Sequence, residues 1–216
     1  MKTALLCLAV LAVGLGVASS LPARAATLTY TSTVPMQTTN WSTSLTVPKF
    51  NPALGMLMSV SVTVRDSAQH TTQFENLSPS STSHLWDSTY VQVDVLSPAS
   101  APLASALDIF YKTGVFGIYD GVLDYAGTSG GTYPQSAVAT GGAVLSAPGD
   151  LAAFTGTGSV SLPCSATAWF VVSYSGGNAR YVLTTTAAAT VTVTYTYNVT
   201  TPAPVPTWGK LRRLYH

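Results

Sequence analysis

Phe50-Asn51-Pro52-Ala53-Leu54-Gly55-Met56-Leu57-Met58-Ser59-Val60-Ser61-Val62-Thr63-Val64-Arg65-Asp66 decides the fold class of this 216-residue chain. Asn51 before Pro52 is pushed out of the helical region and Gly55 tolerates positive φ, so the stretch opens on a turn. It then alternates. Met56, Met58, Val60, Val62 and Val64 fall on one face, and Ser59, Ser61, Thr63 and Arg65 on the other. A period of two rich in β-branched residues describes a strand with one face on a core and one in water. Ala189–Thr200 repeats the pattern, with Val191, Val193 and Tyr195 facing one way and Thr190, Thr192 and Thr194 the other.

Working outward, short runs of the same kind recur between Gly, Pro, Ser and Asn. They are Ala26–Ser32, Ser42–Val47, Thr71–Leu77 after a polar turn, Thr89–Leu96, Leu107–Tyr111 and Gly121–Tyr125. Leu151–Phe154, Ser159–Leu162, Ala168–Tyr174 and Tyr181–Thr186 complete the series. Leu103–Lys112 is the one window that also fits a helix. Many short strands without βαβ alternation predict an all-β chain: an antiparallel β-sandwich, jelly-roll-like, in a single domain. The rival is a closed outer-membrane barrel, which needs alternation over many strands of about ten residues, longer than most runs here. Gly127–Gly149, rich in Gly, Ser, Thr and Pro, reads as a long connecting loop and as the place to look for a ligand.

The chain's two ends read differently from its body. Met1-Lys2-Thr3, the apolar run Ala4–Val17 and the small-x-small close Ala23-Arg24-Ala25 predict a cleaved signal peptide over residues 1–25. A membrane anchor is the alternative, but that run is short for a span needing about 20 residues. The body is expected over 26–200, followed by a Pro-rich spacer and basic tail over 201–216. Past the leader, seven Lys/Arg face eight acids, with three of the seven in the tail. A weakly acidic body without a basic stripe argues against nucleic acid. Cys164 is the one cysteine left after signal removal, so no internal disulfide is expected, and it reads as a small buried hydrophobe.

Chemical motifs are sparse. Asp120 and Asp124 bracket the turn Tyr119-Asp120-Gly121-Val122-Leu123-Asp124, and carboxylates in such loops are candidate calcium ligands, although Asp is also the usual turn-capping residue. Calcium is the only cofactor these residues suggest. His70, His84 and His216 lack zinc spacing. No Gly-x-Ser-x-Gly elbow stands in a suitable setting, and no spacing pairs Glu75 with one of the seven Asp residues for glycoside hydrolysis. Trp41, Trp86, Trp169, Tyr119, Tyr125 and Tyr133 are candidates for an aromatic platform under a sugar ring, against the ordinary use of such residues in cores. Tyr119, Tyr125 and Tyr133 are the candidate ligand-binding residues, the last two flanking the long loop.

Phe50-Asn51-Pro52-Ala53-Leu54-Gly55-Met56-Leu57 resembles the Phe-Asp-Pro-x-Leu-Gly-x-Leu opening of the choice-of-anchor E domain, a bacterial extracellular family with varied C-terminal sorting signals, often of the PEP-CTERM kind. Phe74-Glu75-Asn76-Leu77, Leu123–Gly130, Phe154–Gly158 and Val191–Tyr197 resemble its later landmarks in the same order, over residues 27–200. The resemblance implies secretion and association with the surface or exopolysaccharide, and carries no enzymatic activity. The chain departs from that family where Pro206-Thr207-Trp208 runs straight into Lys210, Arg212 and Arg213 with no apolar span, so no transmembrane anchor is expected. The reading is a secreted, non-enzymatic β-sandwich, structural or adhesive, at the bacterial surface or matrix, with extracellular polysaccharide or cell-surface components as partners. A carbohydrate-binding module is the first alternative and a secreted hydrolase the second.

Overall fold

The computed structural model describes residues 25–199; the leader before Ala25, Thr200 and the tail lie outside the described residues. Among the described residues nine antiparallel strands form two sheets packed face to face. The first sheet contains β1 (Ala25–Thr38), β9 (Ala179–Val199), β3 (Gly55–Asn76) and β6 (Gly130–Ala137) in that order, and β7 (Thr140–Leu145) also pairs with β3. The second contains β2 (Trp41–Pro48), β8 (Ser159–Tyr174), β4 (Ser83–Leu96) and β5 (Pro102–Phe116) in that order. This is the antiparallel β-sandwich that the alternating pattern predicts.

The deciding stretch behaves as expected in its second half. Val60, Val62, Val64, Val191, Val193 and Tyr195 are fully buried in one core, opposite Val91, Val93 and Val95 of β4. Its first half differs. A register shift between Leu57 and Ser59 inserts one residue into β3, and this bulge turns Leu57 toward the core and Met56 and Met58 out to solvent. The opening turn is a short 3-10 helix, Pro52–Leu54, whose preceding Asn51 accepts a hydrogen bond from the Ala53 amide at 3.0 Å. Gly55 follows at φ 147°, where an added Cβ would lie 1.9 Å from the Asn198 carbonyl oxygen, so only glycine fits.

Other expectations are corrected. The polar residues after Arg65 are not a turn, because β3 runs unbroken for 22 residues. Asp66, His70 and Thr72 keep the inward phase and find polar partners across the sandwich. Likewise β8 and β9 are each one long strand where two short ones are predicted, and Leu103–Lys112 is strand within β5. Gly127–Gly149 is not a continuous loop: it holds β6 and β7, whose backbones pair with successive parts of β3. Gly121–Tyr125 is loop, and Leu151–Phe154 belongs to a helix, α1 (Pro148–Phe154), which buries Phe154 at the end of the sandwich.

The two outer faces are unlike. On the first sheet Thr27, Thr29, Thr31 and Thr33 lie beside Thr196, Thr194, Thr192 and Thr190, which lie beside Ser59, Ser61, Thr63 and Arg65. That face is covered in hydroxyls. The outer face of the second sheet carries exposed aromatic residues on β4, β5 and β8, among them Trp86, Tyr111 and Trp169.

Candidate functional site

The loop between β5 and β6 carries most of the residues singled out in the sequence. Its ends meet through the Gly117 amide, which donates to the Thr128 carbonyl at 2.7 Å, while Asn76 Nδ2 donates to the Gly117 carbonyl at 2.7 Å. Within it Asp120 Oδ1 accepts from the Val122 amide at 3.0 Å, and Asp124 Oδ1 from the Ala126 amide at 2.9 Å. Both are therefore turn-forming Asp residues with one oxygen engaged locally. Among the described residues no three His, Cys, Asp or Glu side chains gather as a metal site would require.

Among the described residues no ring contact joins the three candidate tyrosines. The Tyr119 amide donates to the Ser78 carbonyl, and the Tyr125 amide donates to the buried carboxylate of Glu75 at 2.8 Å. Tyr133 instead points between the sheets, edge-on to Phe116, with Lys112 Nζ 3.4 Å from its ring centroid.

Ionisable chemistry is concentrated inside the sandwich. Asp87 of β4 accepts from Thr72 Oγ1 at 2.6 Å and Thr89 Oγ1 at 3.0 Å, and lies 3.2 Å from His70 Nε2. The other ring nitrogen of His70 donates to the Thr184 carbonyl at 3.2 Å. Burial opposes ionisation of Asp87. Hydrogen bonds from His70, Thr72 and Thr89, together with the charge of His70, outweigh it and hold the carboxyl below its ordinary value. Every polar group in this network has a partner and all four residues are buried, so it joins the two sheets without offering a free nucleophile.

Asp66 fills the gap in the ladder between β6 and β7. Its amide donates to the Ala139 carbonyl at 3.0 Å and its Oδ1 accepts from the Ala139 amide at 2.8 Å. Its second oxygen has no other donor and faces Asp108 of β5, which is also buried. Burial, a hydrogen bond to Asp66 and the charge of Asp66 push the Asp108 carboxyl up to about 7. A protonated Asp108 can donate to the Asp66 oxygen that has no other donor. Cys164, buried on β8, has its thiol pushed up to about 11 by burial and by the charge of Asp94, which leaves little nucleophilic thiolate.

The outer face of β5, β4 and β8 is the largest feature that the interior does not explain. Directly opposed residues of antiparallel strands share a face, so the register builds rows. Thr113, Trp86 and Ser173 form one row, Tyr111, Ser88 and Val171 the next, and Ile109, Tyr90 and Trp169 the third. Leu107, Gln92 and Thr167 follow, then Ser105, Asp94 and Ser165, with His84 and Val115 at the opposite end. Trp86 is 49% exposed, Tyr111 61% and Val171 62%, values far from those of core residues. Trp169 stacks on Tyr90 with centroids 5.3 Å apart and planes 5° from parallel, and His84 stacks on Trp86 at 5.8 Å and 16°. From His84 to Asp94, at about 3.4 Å per residue, the strip runs roughly 34 Å, and it is three strands, or roughly 10 Å, wide. No Lys or Arg stands in any of these rows.

Trp86 and Trp169 are among the aromatic candidates read from the sequence; Tyr90 and Tyr111 are not. The signal was present in His84-Leu85-Trp86-Asp87-Ser88-Thr89-Tyr90-Val91, where rings occupy alternate positions opposite inward Leu85 and Val91.

The chain matches no family model, and no curated protein is similar to it at a significant level. Among solved structures it is similar to that of infectious bursal disease virus, Gx strain, at 12% identity and a TM-score of 0.19, covering 89% of this chain and 42% of that one. The VP2 subviral particle of the same virus gives the same identity, TM-score and coverage. The chain thus spans less than half the length of these matches, and so remote a likeness bears on neither ligand nor role.

Proposed function

We propose that this chain is a secreted, non-enzymatic adhesive module of the bacterial surface or matrix, and that it holds a neutral polysaccharide along the outer face of β5, β4 and β8. The supporting observation is the strip itself: Trp86, Tyr90, Tyr111 and Trp169 interleaved with Ser88, Thr113, Thr167 and Gln92 on one exposed face. Rings take the apolar faces of sugars, and the hydroxyl and amide groups between them take sugar hydroxyls. Contiguous exposed apolar surface of this kind ordinarily marks a binding site. The strip is long and narrow, which suits a linear chain better than a globular partner. It lacks cations, so an anionic polymer would find no counter-charge there. Secretion is supported by the leader read at residues 1–25 and by the resemblance to the choice-of-anchor E domain, to which we assign the chain as part of this proposal.

The test is retention on insoluble cellulose, chitin, xylan and curdlan, with alginate as the anionic comparison. The parent protein should be retained by at least one neutral polymer and not by alginate. Trp86→Ala and Tyr111→Ala, both at exposed positions, should keep the parent circular dichroism spectrum and each lose about tenfold in affinity, the loss expected on removing a stacking contact of about 1–3 kcal/mol. Parent-like retention of both variants would remove the strip from the reading.

A further inference from the structure

At its Asp94 end the strip does not simply stop. The last row, Ser105, Asp94 and Ser165, opens into a cleft of about 760 Å³ walled by Leu96 and Pro102 of the β4–β5 hairpin. Gln92 Nε2 donates to both oxygens of Asp94, at 2.8 and 3.0 Å, which fixes the carboxylate in one orientation. Its remaining lone pairs, the Gln92 carbonyl oxygen and the two serine hydroxyls are left to meet what enters. Gly141 of β7 lets the first sheet press against this edge, since an added Cβ there would lie 1.7 Å from the Ser105 carbonyl oxygen.

We infer that this cleft is the subsite that reads sugar identity: Asp94, held by Gln92, accepts hydrogen bonds from two neighbouring hydroxyls of one neutral sugar unit, while Leu96 and Pro102 lie against its apolar side. This rests on the polysaccharide reading and adds a division of labour to it. Stacking on rings tolerates almost any pyranose, so Trp86, Tyr90, Tyr111 and Trp169 supply affinity along the chain with little discrimination. A charged acceptor aimed at particular hydroxyls discriminates, because a sugar whose hydroxyls point elsewhere leaves the carboxylate desolvated with Gln92 as its one donor. The cleft also gives the strip a direction, since it lies at the Asp94 end.

The experiment measures affinity for cellulose, xylan and curdlan with the full chain, Asp94→Ala, Gln92→Ala and Trp86→Ala. The parent should rank the three polymers clearly. Asp94→Ala should lose about tenfold or more on the preferred polymer and much less on the others, so that the ranking collapses. Gln92→Ala, which frees the carboxylate without removing it, should weaken the same preference to a smaller extent. Trp86→Ala should lower all three affinities in parallel and keep the ranking. Unchanged ranking in Asp94→Ala overturns the cleft assignment while leaving the strip in place. Failure of the parent to bind any of the three overturns the cleft assignment, and failure on chitin as well overturns both.

Discussion

Asp108 of β5 and Asp87 of β4 both point into the sandwich from neighbouring strands of one sheet and respond to acid in opposite ways. The charged or titratable groups on the inner face near Asp108 are Asp66 and His70 of β3, Asp87 of β4, Lys112 of β5 and Tyr133 of β6, and of these Asp66 is its hydrogen-bond partner. Because the Asp108 carboxyl is raised to about 7 in the fold, it stabilises the folded state fully below the unfolded value of about 3.9, and that stabilisation is lost as pH rises through about 7. Asp87 is depressed, so its contribution is present above about 3.9 and lost as pH falls through the lower folded value. Melting temperature should therefore fall by several degrees between about pH 5 and pH 9, and fall again in stronger acid. Asp108→Asn, whose amide donates to Asp66 at every pH, should flatten the alkaline limb and melt above the parent at high pH. An unchanged alkaline limb in that variant would show that the two carboxyls do not share a proton.

At the scale of elements, β3 holds the first sheet together, with β9 along one side and β6 and β7 along the other. Val62 is fully buried and lies between Val193 and Ala143. Val62→Asp places an unpaired carboxylate there, costing several kcal/mol out of a total of about 5–15, and should abolish the cooperative melt. A variant melting like the parent would mean that the register of β3 is wrong. The centre of that strand was legible because valines repeat every second residue. Its continuation was not, because Asp66 and His70 look like turn residues until Asp108 and Asp87 are set opposite them, and those partners lie 42 and 17 positions away. The β6 and β7 segments were illegible for a related reason. Gly130, Gly131, Pro134, Gly141 and Gly142 carry no strand pattern of their own, and β3 recruits them through backbone pairing. The strip was half legible. Trp86 and Trp169 stand out by type, but only the pairing of β4 with β5 and β8 gathers Tyr90 and Tyr111 beside them.

For the whole molecule the decisive contrast is between charge and apolar surface. The body is poor in charge, its strip has no cation, and Lys210, Arg212 and Arg213 sit in the tail outside the described residues. Two modes of attachment would therefore respond differently to salt. Binding through the strip rests on stacking and hydrogen bonds, so raising salt from about 0.05 to 1 M, which shortens the screening length from above 10 Å to about 3 Å, should change it less than twofold. Attachment of the tail to an anionic surface, at about 1 kcal/mol per basic side chain, should weaken steeply over the same range. The comparison is between the chain from Ala25 onward and the same chain ending at Val199. The shorter one keeps every described strand, including the β1–β9 pairing that joins Ala25 to Asn198. Both should melt at the same temperature and bind the preferred neutral polymer equally at either salt. Only the longer one should cosediment with anionic vesicles, and only at low salt. Polymer binding that disappears in high salt or with the tail would place adhesion in the basic residues and not on the aromatic face.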